Sequence, residues 1–348
     1  MFNVIIKTAH DLLLDTVFKI MAIAVLAGAF ASLLNEFGVV ALINYVLSPI
    51  MRPLYNLPGA ASLGIITTYL SDNPAIISLT KDKAYTKFFK KHEIPTLCNL
   101  GTSFGMGMVL SFYLFSLNAD FLSAIIVGNL SAFIGSIVSV KIMLHYSKKH
   151  FGESAITDEA NGDLNNQLST REIRSGNALE RILDAMLEGG KNGVDMGLAI
   201  IPGVLVICTI VMILTFGPQG ESGNYIGAAY EGVAILPKLS SYIAPLLQFL
   251  FGFSSPEAIT LPITSLGAVG AAMGMVPQLL ESNLIGANDI AVFTAMGMCW
   301  SGYLSTHIGM MDALGMKQLA NKAIFSHTIG GLVAGITANY LFKLISML

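Results

Sequence analysis

The sequence predicts an all-helical, polytopic membrane protein of about ten membrane segments in two inverted five-segment repeats, with broken helices or helical hairpins. Three observations carry that expectation. The composition lies outside the range of soluble domains, one constant offset relates the two halves, and lysine is confined to particular loops.

Of 348 residues, 54% are hydrophobic and only 12% are charged, with 34 glycines and a mean hydropathy of +0.68. Soluble domains carry about 25% charged residues. Apolar stretches recur at 12–35, 39–56, 58–80, 94–117, 121–146, 196–215, 236–253, 256–278, 290–311 and 323–347. A helix needs about 20 such residues to cross a bilayer, so about ten membrane segments are expected. Those at 39–56 and 236–253 are short enough to be full crossings or re-entrant half-helices. The first stretch is too long for a signal-peptide core and no small-residue cleavage site follows it, so it reads as mature protein. Cys98, Cys208 and Cys299 lie singly inside apolar stretches, without metal-ligand spacing or a disulfide framework. A net charge of -3 and the lack of a basic face interleaved with aromatics exclude a nucleic-acid partner.

The one long polar region, Ser147 to Asn192, divides the chain into halves, and its part around 154–170 has the composition of a disordered linker. The expected organisation is a first membrane repeat at 1–146, a polar cytoplasmic linker at 147–175 and a second repeat at 176–348. Leu179, Ile182, Leu183, Met186 and Leu187 form a helical stripe opposite Glu180, Arg181, Asp184 and Glu188. Ile5, Ile6, Ala9, Leu12 and Leu13 do the same opposite Lys7 and Asp11. Each half therefore opens with an amphipathic helix suited to the membrane interface.

Across an offset of 196 residues, Pro49, Leu54, Thr68, Leu70, Ala75, Ile94 and Gly101 recur as Pro245, Leu250, Thr264, Leu266, Ala271, Ile290 and Gly297. Tyr55, Leu57, Glu93 and Phe104 become Phe251, Phe253, Asp289 and Trp300. The loop at 81–92 holds five lysines, whereas its counterpart at 277–289 holds none. The positive-inside rule then sets the two loops on opposite sides. With five crossings per half and both termini outside, the inner set (81–92, 141–191 and 312–322) holds 14 of the 19 Lys and Arg. A re-entrant short segment would change that parity.

Asp72, Asn73 and Pro74 interrupt the stretch Ile66 to Lys91, an apolar helix followed by a burst of lysine. A carboxylate facing lipid costs about 2.5–3.5 kcal/mol on insertion scales, so Asp72 should face protein or water. Pro74 removes a backbone donor and disfavours helix at Asn73. Broken helices at membrane depth persist where they are buried in protein or line a cavity, and transporters build binding sites this way. The plainer alternative is that 71–74 caps a helix ending early near the cytoplasmic interface. In the second half, Ser254, Ser255, Pro256 and Glu257 carry a helix-start pattern that explains Glu257 by itself. Pro262 and the run Gly267, Gly270, Gly274 then thin the helix, and Glu257 is the counterpart candidate for solute or coupling ion.

Asn99, Thr102 and Ser103 in LCNLGTSFGMG lie in apolar surroundings, as do Trp300, Ser301, Thr306, His307 and Asp312 in MCWSGYLSTHIGMMDALGM and Asn129, Ser131 and His327. Ser and Thr commonly serve packing, whereas intramembrane Asn, His and Asp mark sites more often. His307 and Asp312 are proton-relay candidates because histidine titrates near neutrality. The candidate solute-binding set is Asp72, Asn73, Ser254, Ser255 and Glu257, with Asn99, Trp300, Ser301 and His307 as second choices. A resident metal is left open. The chain has no H-E-x-x-H, G-x-S-x-G or Walker pattern, so no enzymatic activity is expected.

Pro49, Leu54, Tyr55 and Pro58, followed by IITTYLSDN from Ile65 to Asn73, resemble the nucleoside-recognition or Gate domain of spore maturation proteins A and B. PLLQFLFGF from Pro245 and the following SSPEAITLP are similar to a second Gate copy. The motif around Glu257 resembles the Ser/Thr-Glu-Ala hairpin motif of concentrative nucleoside carriers. The membrane part of the ferrous-iron transporter carries two opposed Gate domains, so the resemblance also implies inversion. After Asn73 the sequence departs from the family, with Pro74, Ala75 and Ile76 in place of a Gly-Asn-Ala-rich continuation.

The expected function is secondary transport of a small polar solute by alternating access at the repeat interface. The solute is nucleoside-like, an amino acid or peptide, or an ion. The expected setting is a bacterial inner membrane, without a cofactor, with Na+ or H+ as coupling ion and a homo-oligomer compatible with the class. The alternatives are a non-transporting membrane scaffold and a lipid translocator.

Overall fold

The computed structural model describes residues 2–81, 83–152, 173–220 and 223–347. The expected disordered stretch at 154–170 lies outside them. The first half comprises α1 (Phe2–Glu36), α2 (Val39–Tyr55), α3 (Ala61–Leu70), α4 (Pro74–Lys81), α5 (Thr96–Thr102), α6 (Gly107–Leu117) and α7 (Ala119–Phe151). The second comprises α8 (Ala178–Thr215), α9 (Ile235–Ser241), α10 (Ala244–Phe251), α11 (Thr260–Ser265), α12 (Val269–Glu281), α13 (Ala287–Cys299), α14 (Tyr303–Ala313) and α15 (Lys317–Ser346).

The amphipathic openings of the two halves are not separate interface helices. No residue breaks the helix after Leu13 or Leu187, and each stripe runs on through a π-helical stretch, Leu12–Val17 or Gly203–Cys208, into the apolar run. Asn177 starts α8 with a capping box, its side chain accepting from the Leu179 and Glu180 backbones while the Glu180 carboxylate accepts from the Asn177 N–H.

Equivalent helices of the two halves run in opposite directions. Along the α1–α8 contact, Gly28 meets Gly189, Gly193 meets Ala24 and Val25, and Gly197 meets Met21. Between α7 and α15, Gly135 meets Gly330 and Ala334, Ser139 binds His327 at 3.0 Å, and Tyr146 packs on Phe325. In both pairs one number rises as the other falls. Small residues make these approaches possible, because without a hydrophobic drive in lipid, close backbone packing holds helices together.

The 196-residue offset is a structural repeat. Asn56 and Gly252 both end a helix in the left-handed conformation, and Met106 and Gly302 both begin one in it. Glu93 accepts the Lys90 N–H at 2.8 Å, and Asp289 accepts the Gly286 N–H at 2.8 Å. These are the same local cap, one repeat apart.

The segment at 58–80 does not cross. Gly64 of α3 lies against Ile76 of α4 and against Tyr85, so the two helices fold back as a hairpin with its tip at Ser71–Asn73. In the second half, Thr264 of α11 donates to Met275 of α12 at 3.5 Å, which closes the matching hairpin with its tip at Gly267–Ala268. Nor does α2 connect the two ends of the molecule. Glu36, just before it, pairs with Arg174 and Arg181, and Arg52 near its far end pairs with Glu93, beside Lys148 at the end of α7. All of these lie at the end that carries the linker. Its counterpart α9–α10 stays at the opposite end, where Tyr340 and Asn339 bind the carbonyls of Phe249 and Leu250. Three elements per half therefore run end to end: α1, α5–α6 and α7, then α8, α13–α14 and α15.

The expectation of five crossings per half is corrected accordingly. Among the described residues, five helices are long and apolar enough to cross a membrane, and α13–α14 is a sixth path broken into two short pieces. Hydropathy measures the length of an apolar run and not its direction, so it reads a hairpin as a span. Three crossings are odd, as five are. Two non-crossing segments per half cancel in the parity, and the inversion and the sidedness of the lysines survive.

Candidate functional site

Both hairpin tips and both helix breaks lie where the chain cannot continue as helix. Pro74 follows the first tip, and Ser71 there has φ -130° and ψ -113°. Ala268 at the second tip is extended, with φ -163°. Between α5 and α6 the chain turns through Met106 at φ 54°, and between α13 and α14 through Gly302 at φ 56°, where glycine carries no Cβ penalty.

Residues from all four interruptions line one cavity of about 560 Å³. The first tip supplies Ser71, Asp72 and Asn73, the α5–α6 break Met106, the second tip Gly267, Ala268 and Val269, and the α13–α14 break Ser301 and Gly302. One wall is α8, with Asn192, Asp195 and Met196. The Asn73 side-chain amide donates to the Ser301 carbonyl, tying the tip of the first repeat to the break of the second. Cys299 contacts the carbonyl of Ser103 at 3.8 Å. These two residues are equivalent in the repeat, so the approximate two-fold axis passes between them beside the cavity. Oδ1 of Asp72 and Oδ1 of Asn73 are buried and have no hydrogen-bond partner among the described residues. Two unsatisfied acceptors at one tip suit a donor-bearing solute or a cation.

A second cavity of about 310 Å³ shares Ser71, Asn192 and Met196 with the first. It runs toward the linker end between α1 and the first hairpin, past Thr67, Ser32 and Asn35.

Of the polar residues singled out in the sequence, Asp72, Asn73, Ser301 and Thr306 meet at the central cavity. Ser254 is elsewhere, donating through its N–H and hydroxyl to Asp289 at 3.0 and 2.5 Å. Ser255 and Glu257 flank Pro256 at the base of the second hairpin, away from its tip. The repeat explains the separation, because the counterpart of Asp72 is Ala268 and the second tip carries no carboxylate. Asn99 is fully buried, donating to Ser139 at 3.0 Å and the Ala323 carbonyl at 2.9 Å, and so joins α5, α7 and α15. Trp300 packs its indole on Gly331. His307 is fully buried with its ring 4.7 Å from that of His327. Asp312 lies 3.8 Å from Lys317 on the surface of the linker end, apart from that pair. Sequence reasoning missed Asp195, Asn192 and Ser71. Asp195 stands one residue before the apolar stretch at 196–215, where an acid at the edge of a span was the available signal.

No family model matches the chain. A protein of Alkalihalophilus pseudofirmus described as uncharacterized is 24% identical over 299 residues. The match covers 82% of this chain and 58% of that relative's length. Among solved structures, the transporter CNTnw in an inward-facing, substrate-bound state superposes with a TM-score of 0.58 at 15% identity, over 95% of this chain and 75% of that one. A doubly substituted CNTnw in an outward-facing state gives 0.55 at 14% identity, over 94% and 76%. The chain thus has the fold of the concentrative nucleoside transporters, with its central cavity at the meeting of four chain breaks.

Proposed function

We propose that the protein is a secondary transporter that moves a small polar solute across a bacterial inner membrane by alternating access. The observation that carries this reading is the convergence of two hairpin tips and two helix breaks, one of each from each inverted repeat, on a single cavity. Interrupted helices at a repeat interface present helix ends and unpaired backbone to a ligand at depth. Structures of the same fold in inward- and outward-facing states support the alternation.

In this reading Asp72 and Asn73 hold the solute or its coupling ion from the first tip, Ser301 sets the opposite wall, and Asp195 supplies a second carboxylate from α8. A nucleoside, whose ring and ribose hydroxyls donate and accept, is the first solute class to test. The Gate-like motif at 65–73 and the solved neighbours support it. Na+ or H+ at Asp72 would supply the drive.

The test is thermal stabilisation of the purified protein by nucleosides, amino acids, dipeptides, Na+ and protons, repeated on Asp72→Asn and Asn73→Ala. Ligands that bind the folded state raise its stability by mass action. A hit in the unsubstituted protein, weakened in both variants, is expected. The absence of any hit with both variants folded would overturn the reading in favour of a scaffold.

A further inference from the structure

At the linker end, the last turn of α2, the loop before α5 and the last turns of α7 enclose a separate cleft of about 260 Å³. Its lining residues are Arg52, Asn56, Lys90, His92, Glu93 and Lys148. Among the described residues, three permanent cations and the carboxylate of Glu93 line this one small space. Glu93 is 3% exposed and turned away from solvent, with Oε2 accepting the Lys90 N–H at 2.8 Å and Oε1 held by Arg52 at 3.3 Å. Arg52 keeps 61% of its side chain exposed, so only part of its guanidinium is committed to Glu93.

The second repeat serves as an internal control. The counterparts of Arg52, Asn56, Lys90, His92 and Glu93 are Gln248, Gly252, Gly286, Asn288 and Asp289. There the carboxylate makes the same backbone cap to Gly286, and its remaining needs are met by Ser254. Asn288 fills the space by binding the carbonyls of Phe251 and Gly252 at 2.9 and 3.0 Å. The fold therefore needs the carboxylate at this place and does not need cations around it. A general preference for lysine on the inner side accounts for positive charge at this end, but not for its convergence on a cleft. Of the lysines outside the cleft, Lys91 lies over the Phe151 ring at 5.1 Å and Lys87 over Phe88 at 5.4 Å.

We propose that this cleft binds a phosphate-bearing anion, held by Arg52, Lys90 and Lys148. A guanidinium and two ammonium groups match the charge and geometry of phosphate. The anion would bridge the end of α2, the base of the first hairpin and the end of α7. Two sources share this chemistry: an anionic lipid headgroup, since α2 exposes Leu42 and Val46 on its surface and basic clefts on the inner side hold such headgroups, and a soluble phosphate.

The test compares the purified full chain with Lys90→Gln/Lys148→Gln and with Lys317→Gln, which removes an exposed cation at the same end. Lys90 caps Glu93 through its backbone, so the double variant keeps that bond. Melting is followed against phosphatidylglycerol or phosphatidylcholine in mixed micelles, and against inorganic phosphate with chloride at equal ionic strength. Saturable stabilisation by phosphatidylglycerol identifies a lipid source, and by inorganic phosphate a soluble one. In either case the double variant should bind roughly 25-fold more weakly, about fivefold per cation, and Lys317→Gln should match the unsubstituted chain. No saturable response to either probe, or an equal response in all three proteins, would overturn the proposal.

Discussion

The Asn73 side-chain amide donates to the main-chain carbonyl of Ser301, and through this bond the first hairpin tip is locked to the helix break of the opposite repeat. Its Oδ1 is left buried and unpartnered beside the cavity, so one side chain both closes a structural contact and offers an acceptor to a ligand. Asn73→Ala strands the Ser301 carbonyl, for a cost of about 1–3 kcal/mol. Asn73→Asp keeps the shape and loses the donor. Both should lower the melting temperature of the purified protein and reduce solute uptake into proteoliposomes at least tenfold. An unchanged uptake in Asn73→Asp would show that the tip needs no tie to Ser301.

Asp72 and Glu257 look alike in the sequence, as acids beside a proline in an apolar run, but the fold separates them. Asp72 is at a tip and faces the cavity, whereas Glu257 sits in the first turn of a short helix at a hairpin base. Asp72→Asn should weaken the ligand-induced shift in melting temperature about tenfold in ligand concentration, and Glu257→Gln should leave it unchanged. Loss of the shift in Glu257→Gln alone would place the binding site at the hairpin base.

The contrast shows what could be read from sequence. The break at 71–74 was legible because an acid and a proline in an apolar run have few stable solutions in lipid. The two-fold repeat was legible from residues such as Pro49 and Pro245. Broken helices or hairpins were expected, but hydropathy did not place them, since 58–80 has the length of a span whether it crosses or returns. Applied to Asp72, the offset itself points to Ala268, but Glu257 drew attention because charge is conspicuous and a Gly-Ala turn is not. Asp195 left only the signal of an acid at the edge of a span, and the α1–α8 packing that sets its helix beside the cavity is recorded by no local pattern.

That packing makes a paired prediction. A Cβ at Gly193 would collide with the backbone of Ala24 and Val25, which cannot rotate away, so Gly193→Ala should cost about 1–3 kcal/mol through overpacking. At Gly190, three residues earlier on the same helix, a Cβ meets Val25 at ordinary contact distances, Cγ1 at 3.5 Å and the carbonyl oxygen at 4.0 Å. Gly190→Ala should be neutral or up to about 1 kcal/mol stabilising, because alanine favours helix over glycine. Thermal melts of the two variants distinguish a tight crossing from a general intolerance of substitution.

Glu231, in the loop between α8 and α9, gathers hydrogen bonds from the backbones of Ile226 (2.9 Å), Gln219 (3.2 Å), Gly227 (2.7 Å) and Ala228 (3.1 Å). The Ile226 bond and then the others hold its carboxyl below the ordinary value of 4.5, against the upward pull of burial. A carboxylate lowered in the folded state stabilises above its unfolded value, and that contribution is lost as the pH falls through the folded value. Glu231→Gln should therefore melt below the unsubstituted protein at pH 7, with the gap constant down to about pH 5 and closing in more acid solution. A gap independent of pH down to 3 would mean that the loop is held by shape and not by this charge.

Two neighbouring cavities set a direction for solute movement. Ser71, Asn192 and Met196 line both the central cavity and the space beside Thr67 and Asn35, which lies toward the linker end. This conformation should therefore admit water-soluble reagents from that end alone. The native thiols Cys98, Cys208 and Cys299 are all buried, which leaves a low background for cysteine scanning. Thr67→Cys and Asn35→Cys should react with a membrane-impermeant maleimide in inside-out vesicles and stay unlabelled in intact cells. Ser282→Cys, exposed at the opposite end, should show the reverse. A solute that drives the protein to its other state should slow labelling at Thr67→Cys and leave the exposed Ser282→Cys unaffected. Labelling of Thr67→Cys from both sides would make the path a leak or channel, and labelling from the Ser282 side only would invert the assigned orientation.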